Sequence, residues 1–330
     1  MTTRKHATIR EIAKAAGVST ATVSRAFSKP EMLSPGTVEK VRQVAADLHY
    51  VPNRSARALS TGRQGAIAII VSDIANPFFS PLIRGIERQC DSADVLVLLG
   101  DTDETAAKES TLLGKLLHQS DGVILAAPRS GDAELTAHAR QTSMVLVNRD
   151  LDGVSQVLID SAIGMRQAVA HLAELGHQHL VYAAGPADSW ANGERRKAIM
   201  SAARRHKVKV TTLKALRPTH EAGIKLAPDV VASGATAVIA FDDILGQGIM
   251  AGIWAAGLSV PDDMSVIGCD DITAARSYPA MTAISADVIA AGERAAETLL
   301  EVIQEGRAQE PVIIPTRLVV RDSTGPARSR

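Results

Sequence analysis

Thr8 to Phe27 reads TIREIAKAAGVSTATVSRAF. Ile9, Ile12, Ala13 and Ala16 recur at the spacing of one helix face, which predicts a short amphipathic helix. Gly17 follows as a residue free to take a left-handed turn. Ser19 is a good N-cap for a second helix running from about Thr20 to Phe27. Val18 and Val23 face the first helix, which leaves Thr20, Ala21, Thr22, Ser24 and Arg25 pointing outward. Two short helices about a tight glycine turn, the second bearing small polar groups and an Arg, form a helix-turn-helix suited to the DNA major groove. Small side chains permit close approach to the bases, and Arg25 can fork onto guanine O6 and N7. The same pattern also fits an ordinary αα-hairpin with a solvated face.

Working outward, Ser34 and Pro35 open a third helix, with Val38, Val41, Ala45 and Leu48 on one face. That face closes over Ile12, Val23 and Phe27. Pro52 excludes further helix before it. Residues 53–60, NRSARALS, give two helical turns at most, too few to stand alone. Thr61 to Gly65 then reads as a flexible join.

Charge supports this division. Residues 1–63 carry 11 Lys/Arg against 4 Asp/Glu, a balance of +7, while the remainder carries 25 against 32, a balance of −7. A basic head on an acidic body points to a polyanion-binding module joined to something else. With 330 residues, 46% of them apolar, the chain can bury more than one core. Two cysteines, Cys90 and Cys269, each in an apolar segment, fit a reducing compartment rather than a disulfide framework. No signal peptide or membrane span is apparent, so the expectation is a cytoplasmic protein.

The motifs AxxAGVSxxTVSRAF and YVPNRSARAL together resemble the DNA-binding head of the lac-repressor (LacI/GalR) family of bacterial transcription regulators. The likeness implies that Thr20, Ala21 and Arg25 read bases, while Thr8, Ser19, Thr22 and Ser24 hold phosphates. It implies that residues 53–65 are a hinge whose helix meets its dimer mate in the minor groove. There Leu59 would wedge open a base step, with Asn53, Arg54, Ala56 and Arg57 on the backbone and groove floor.

From residue 66 onward, short β-branched runs alternate with helical stretches, which predicts parallel sheets covered on both faces. Strands are expected at residues 66–71, 95–99, 122–127, 144–147, 180–184, 237–240 and 265–269. A long last helix over 287–305 and a strand pair near 312–315 and 318–320 return to tie two lobes together. This resembles the periplasmic-binding-protein-like body of the same family. The fold expected is a small all-α helix-turn-helix head, residues 1–52, on an α/β body, residues 66–330, of two doubly wound parallel-sheet lobes. Lobe 1 spans about 66–160 plus 288–318, and lobe 2 about 161–287 plus 319–330.

Ligands of such sheets sit beyond the carboxyl ends of strands. Phe78 and Phe79 lie there after the first strand, suited to sugar C–H faces or to stapling the next helix. Asn148 and Arg149 follow the fourth, Trp190 and Arg195 the fifth, Asp242 the sixth and Asp270 the seventh. Carboxylates with an Arg among them chelate vicinal hydroxyls. The resemblance assigns Arg195 and Asp270 as effector contacts, and Asp271 as a brace. Ala198, Ile199 and Asp242 depart from the family pattern, which leaves effector identity open: a pentose, hexose or nucleoside is expected. A nucleobase stacked by Phe78, Phe79 and Trp190, or a phosphocarrier protein, is the alternative.

Enzyme-like patterns are weak. Asp101-Thr102-Asp103-Glu104-Thr105 matches an aspartyl-phosphatase loop without its downstream partners, and reads as a polar loop before a helix. Gly246 to Gly252 lies within a helical stretch, where Asp242 and Asp243 would repel a pyrophosphate. His171, His177 and His179 are too loosely spaced for a metal site and read as a solvated edge. No cofactor and no enzyme activity are expected. The resemblance implies a homodimer on inverted-repeat operator DNA, and the absence of a trailing apolar heptad favours a dimer over a tetramer.

Overall fold

The computed structural model describes residues 7–50 and 62–328. Asn53, Arg54, Ala56, Arg57 and Leu59 lie outside the described residues. The chain divides into two compact units, Met1–Gly65 and Ala66–Arg330.

In the head, Thr8 begins helix α1 (Ile9–Ala16) with a reciprocal cap: its backbone N–H donates to Glu11 Oε2 at 2.6 Å, and Glu11 N–H donates back to the Thr8 hydroxyl at 3.4 Å. Gly17 turns the chain at φ 66°, and Ser19 caps α2 (Thr20–Ser28) by accepting from Thr22 N–H at 3.0 Å. Ser34 caps α3 (Pro35–Asp47), with Pro35 in its first turn. Ile12, Ala16, Val23, Ala26 and Val41 are fully buried where the three helices meet, with Val18 and Phe27 packed against them. Leu48 departs from expectation and is 42% exposed. The helix ends at Asp47, and His49 turns left-handed so that Tyr50 N–H bonds back to Ala45 O at 2.8 Å. The Tyr50 ring then packs on Phe27, 5.9 Å between centroids.

In the body, β1 (Ala66–Val71) is buried along its whole length. It pairs in parallel with β2 (Leu96–Asp101) and β3 (Gly122–Ala126), followed by β4 (Ser143–Val147) and β5 (Ser155–Asp160). Its side chains alternate, as a pleat requires. Ile67, Ile69 and Val71 share a core with α4 (Phe79–Ser92) and α11 (Val288–Glu305). Ala68 and Ile70 share another with Leu113 of α5 (Ala106–Leu116) and Leu135 of α6 (Asp132–Ala139).

The second lobe repeats the plan. Its strands β6 (His179–Ala184), β7 (Lys209–Lys214), β8 (Ala237–Ala240), β9 (Ser265–Asp270) and β10 (Thr282–Ala286) are parallel. They lie between α7 (Ser161–Glu174) and α8 (Trp190–His206) on one face, and α9 (His220–Ala232) and α10 (Asp243–Ala255) on the other. A single strand, β11 (Val312–Val319), replaces the expected strand pair. Its first half runs parallel to β5 and its second half antiparallel to β10, so it carries one lobe into the other.

The glycine run in α10 serves packing. A Cβ on Gly248 would lie 2.0 Å from His220 O, so only glycine lets α9 and α10 approach this closely. Of the three histidines expected at a solvated edge, His171 and His179 are half-buried and His177 is fully inside. His177 is 2% exposed, its ring 2.8 Å from Thr236 Oγ1 and 3.0 Å from Ser265 Oγ, and burial lowers its pKa. Hydroxyls on β9 and the β8 approach satisfy its ring, which makes it a core residue.

Candidate functional site

In the head, the caps leave one face of α2 free. Ser19, Thr20, Ala21, Ser24 and Arg25 are exposed, and Thr22 is half-buried. Ser19 and Thr22 hydroxyls lie 2.9 Å apart, and Thr8 Oγ1 lies 3.0 Å from Glu11 Oε2. Thr8, Ser19 and Thr22 are thus preset by the caps themselves, while Thr20, Ala21 and Arg25 present a low-relief surface.

In the body, the carboxyl ends of β1–β4, β6, β8 and β9 converge on one cavity between the lobes. Its empty volume is about 410 Å³, counted to its open mouth. Phe78, Phe79, Asn148, Arg195, Asp242 and Asp270 line it. Phe78 and Phe79 are 7% and 4% exposed, edge to face at 5.2 Å, so they pack the start of α4 and wall the cavity together.

Arg195 is the centre of the second lobe's wall. Only 4% exposed, it donates from Nη2 to Asp270 Oδ1 at 2.9 Å and from Nη1 to Phe241 O. Its guanidinium sits 4.8 Å from the Phe241 ring centroid, a cation–π contact, and its Nε has no partner. Asp242 caps α10 through Leu245 N–H at 2.9 Å, and its other oxygen accepts from Asn76 Nδ2 of the first lobe at 3.0 Å. Burial, then the neighbouring Asp270 carboxylate, push the Asp242 carboxyl up to about 8. Asp243, pushed up to about 7 by the same causes, accepts three backbone N–H groups from Ile272, Thr273 and Ala274. Asp243 therefore braces the loop after β9. Asp271, expected in that part, pairs instead with Arg321 at 2.7 Å.

This burial sets a pH dependence. The unfolded chain releases the Asp242 proton near 3.8, while the folded chain keeps it to about 8. The folded state binds more protons across that window, so stability falls as pH rises from about 4 to 8 and levels off above. Asp242→Asn should flatten that fall by at most about 1.4 kcal/mol per pH unit. Chemical denaturation at pH 5 and pH 8 reads this directly, and parallel slopes in both proteins would refute the burial argument.

Two expected residues are not brought to the cavity lining. Arg149 turns away to Asp132 at the start of α6, 2.6 Å distant. Trp190 is the first residue of α8; its neighbours Ser189 and Ala191 line the cavity in its place. Asn76, Glu104, Arg129 and Phe241 also line the cavity, none of them expected there from the sequence. Glu104 and Arg129 pair at 2.5 Å with side chains 10% and 3% exposed, and Arg129 Nη1 also donates to Ala127 O at 2.9 Å. A signal existed: both follow strands, β2 and β3, and the rule that selected the other strand ends selects these.

Backbone conformation marks the same place. Among the described residues nine non-glycines have left-handed φ, and Glu104 (59°), Ala127 (51°), Asn148 (55°) and Asp270 (94°) line this cavity. Such conformations persist where the surroundings over-determine them, and they cluster at binding sites. The Asp101–Thr105 loop is absorbed likewise. Asp101 accepts from Ile74 N–H at 3.0 Å, and Asp103 pairs with Arg217 from the opposite lobe.

A three-helix head of this kind on a two-lobed α/β body with an interlobe polar cavity defines a ligand-responsive regulator class. Residues 8–53 match the model for bacterial regulatory proteins of the lacI family, and residues 169–324 match a periplasmic binding protein-like domain. The chain is 31% identical to the HTH-type transcriptional repressor CytR of Escherichia coli (strain K12), over 96% of each protein. Its structure is similar to that of the lac repressor dimer bound to operator and the anti-inducer ONPF. That likeness has a TM-score of 0.88 at 26% identity, covering 97% of this chain and 100% of that one. It is also similar to the transcriptional regulator CelR in complex with cellobiose, with a TM-score of 0.72 at 27% identity, covering 96% and 99%. The chain belongs to the lacI family of bacterial regulatory proteins, a family of DNA-binding transcriptional regulators rather than enzymes. No helix among the described residues is long and apolar enough to cross a membrane.

Proposed function

We propose that this chain is a cytoplasmic repressor that binds an inverted-repeat operator as a homodimer and is switched by a small polar effector held between its lobes. The observation that carries the reading is the cavity itself: its walls come from both lobes, so an occupant fixes how the lobes close. Thr20, Ala21 and Arg25 read base edges, and Thr8, Ser19, Thr22 and Ser24 hold phosphates. Leu59 wedges the central step, flanked by Asn53, Arg54, Ala56 and Arg57. By linkage, operator changes effector affinity by the factor that effector changes operator affinity.

A pentose, a hexose or a nucleoside sugar suits the pocket better than a bare nucleobase. A stacking clamp of Phe78, Phe79 and Trp190 is not assembled, and Arg195 occupies the face of Phe241. Asn76, Asn148, Arg129, Arg195 and the three carboxyl groups supply donors and acceptors along the lining, which matches hydroxyls. Fluorescence anisotropy on the DNA upstream of the gene tests the whole. The expected result is steep salt dependence, a palindromic footprint and a shift by one sugar or nucleoside. Specific binding indifferent to every compound would remove the effector half of the proposal.

The dimer surface we assign to an apolar groove on the second lobe. Met250, Trp254, Val260, Tyr278 and Pro279 line it, and Trp254 and Tyr278 are 61% and 86% exposed. Large exposed aromatics gathered in one place mark an association site. Tyr278→Asp should yield monomers by light scattering at micromolar concentration and weaken operator binding with them. A dimer of unchanged strength would move the interface elsewhere.

A further inference from the structure

The cavity contains two guanidinium groups and three carboxyl groups, and their pairing restricts what can enter. Arg129 is taken by Glu104 at 2.5 Å, with Asp188 of the opposite lobe a further 3.8 Å contact. Arg195 is taken by Asp270 at 2.9 Å. At the rim, Arg217 is shared between Asp103 and Asp73. Asp242 has amide donors only, from Leu245 and Asn76. Each arginine thus arrives already neutralised, and one carboxyl is left over. The left-over group behaves accordingly: burial and Asp270 hold it protonated up to about 8.

We propose that Glu104 acts as a charge filter: by consuming Arg129 it leaves the cavity, among its described lining residues, without a free cation. The site then takes neutral polyhydroxylated ligands and rejects sugar phosphates, hexuronates and nucleotides. This rests on the interlobe cavity being the effector site. The physics is the cost of burying an uncompensated charge. A phosphate or carboxylate entering here gives up its hydration and finds carboxylates where it needs counter-ions. A neutral hydroxyl meets both a donor and an acceptor at each arginine–carboxylate pair. Specificity of this kind works through repulsion of the wrong ligand as much as attraction of the right one.

The test uses the full chain and three named anions, inorganic sulfate, glucose 6-phosphate and glucuronate, in calorimetry and thermal melting at pH 7.5. The wild type should show no saturable binding in the body. Glu104→Gln preserves the shape of the side chain and frees Arg129, so it should gain a sulfate site at least tenfold tighter than any in the wild type. At tenfold excess over its dissociation constant, sulfate should raise that variant's melting temperature by about 3 °C. The double variant Glu104→Gln with Arg129→Met should lose the gain, which separates the cavity from anion binding at the basic head. Glu104→Asn, an uncharged side chain that tolerates the φ of 59° at this position, frees Arg129 should Glu104→Gln fold poorly. Saturable glucuronate or glucose 6-phosphate binding by the wild type, removed by Arg129→Met, would overturn the proposal. So would a folded Glu104→Gln that gains no anion site. If the filter holds but no neutral compound shifts operator binding, the charge assignment stands and the effector reading falls.

Discussion

Asp270→Asn should lower the melting temperature of the body by about 6–20 °C and abolish the response to effector while sparing the head's DNA contacts. Arg195 is 4% exposed, and Asp270 is the carboxylate on its guanidinium. Removing one partner of a buried pair leaves the other charge uncompensated, at about 3–5 kcal/mol. In a unit of this size each kilocalorie moves the midpoint by about 2–4 °C. Relief of repulsion on Asp242 offsets part of the loss, since Asp270 is among the causes of its raised pKa. Asparagine is the informative replacement because Asp270 has φ 94°, which Asn tolerates better than most residues. Alanine would mix backbone strain with the charge effect. Differential scanning calorimetry and operator anisotropy with effector measure both halves. A variant that melts and responds as the wild type does would displace the site.

Arg25→Ala should weaken specific operator binding by about 30-fold to 10⁴-fold, because a bidentate guanine contact contributes about 1–3 kcal/mol and a dimer presents it twice. Arg25 is exposed on α2, clear of the buried Val23 and Ala26, so its removal leaves the head's core intact. Binding to random-sequence DNA should change little at matched salt, since phosphate contacts carry that term. Equal losses on specific and random DNA would show that Arg25 holds phosphate rather than reads a base.

The head was almost wholly legible in the sequence. Its caps at Ser19 and Ser34, its turn at Gly17 and its core of Ile12, Val23 and Val41 depend on neighbours within a few residues. The body was legible where strands are buried on both faces, as in β1. It was not at β5 (SQVLID), β7 and β10 (TAISA), where polar residues interrupt the apolar run, whereas the four-residue all-apolar β8 was expected at its full length. β7 reads KVTTLK, an edge strand with no fully buried residue, and α6 reads DAELTAHA, with Leu135 its one buried side chain. Neither carries the periodicity that a local reading needs.

The same limit decided the site. Arg195, Asp242 and Asp270 could be found from strand ends, because parallel sheets gather those ends on one side. Whether a side chain there faces the cavity depends on backbone torsion and on partners far along the chain. Arg149 turns to Asp132, and Trp190 yields its place to the residues on either side. Glu104 and Arg129 meet across 25 residues, and Asn76 and Asp242 across 166. The sequence by itself determined the family, the head and the α/β plan, since these rest on caps, periodicity and motifs that act locally. Only the tertiary structure decided which charges neutralise one another in the cavity, because Coulomb energy and desolvation depend on distance and burial, which no local spacing encodes.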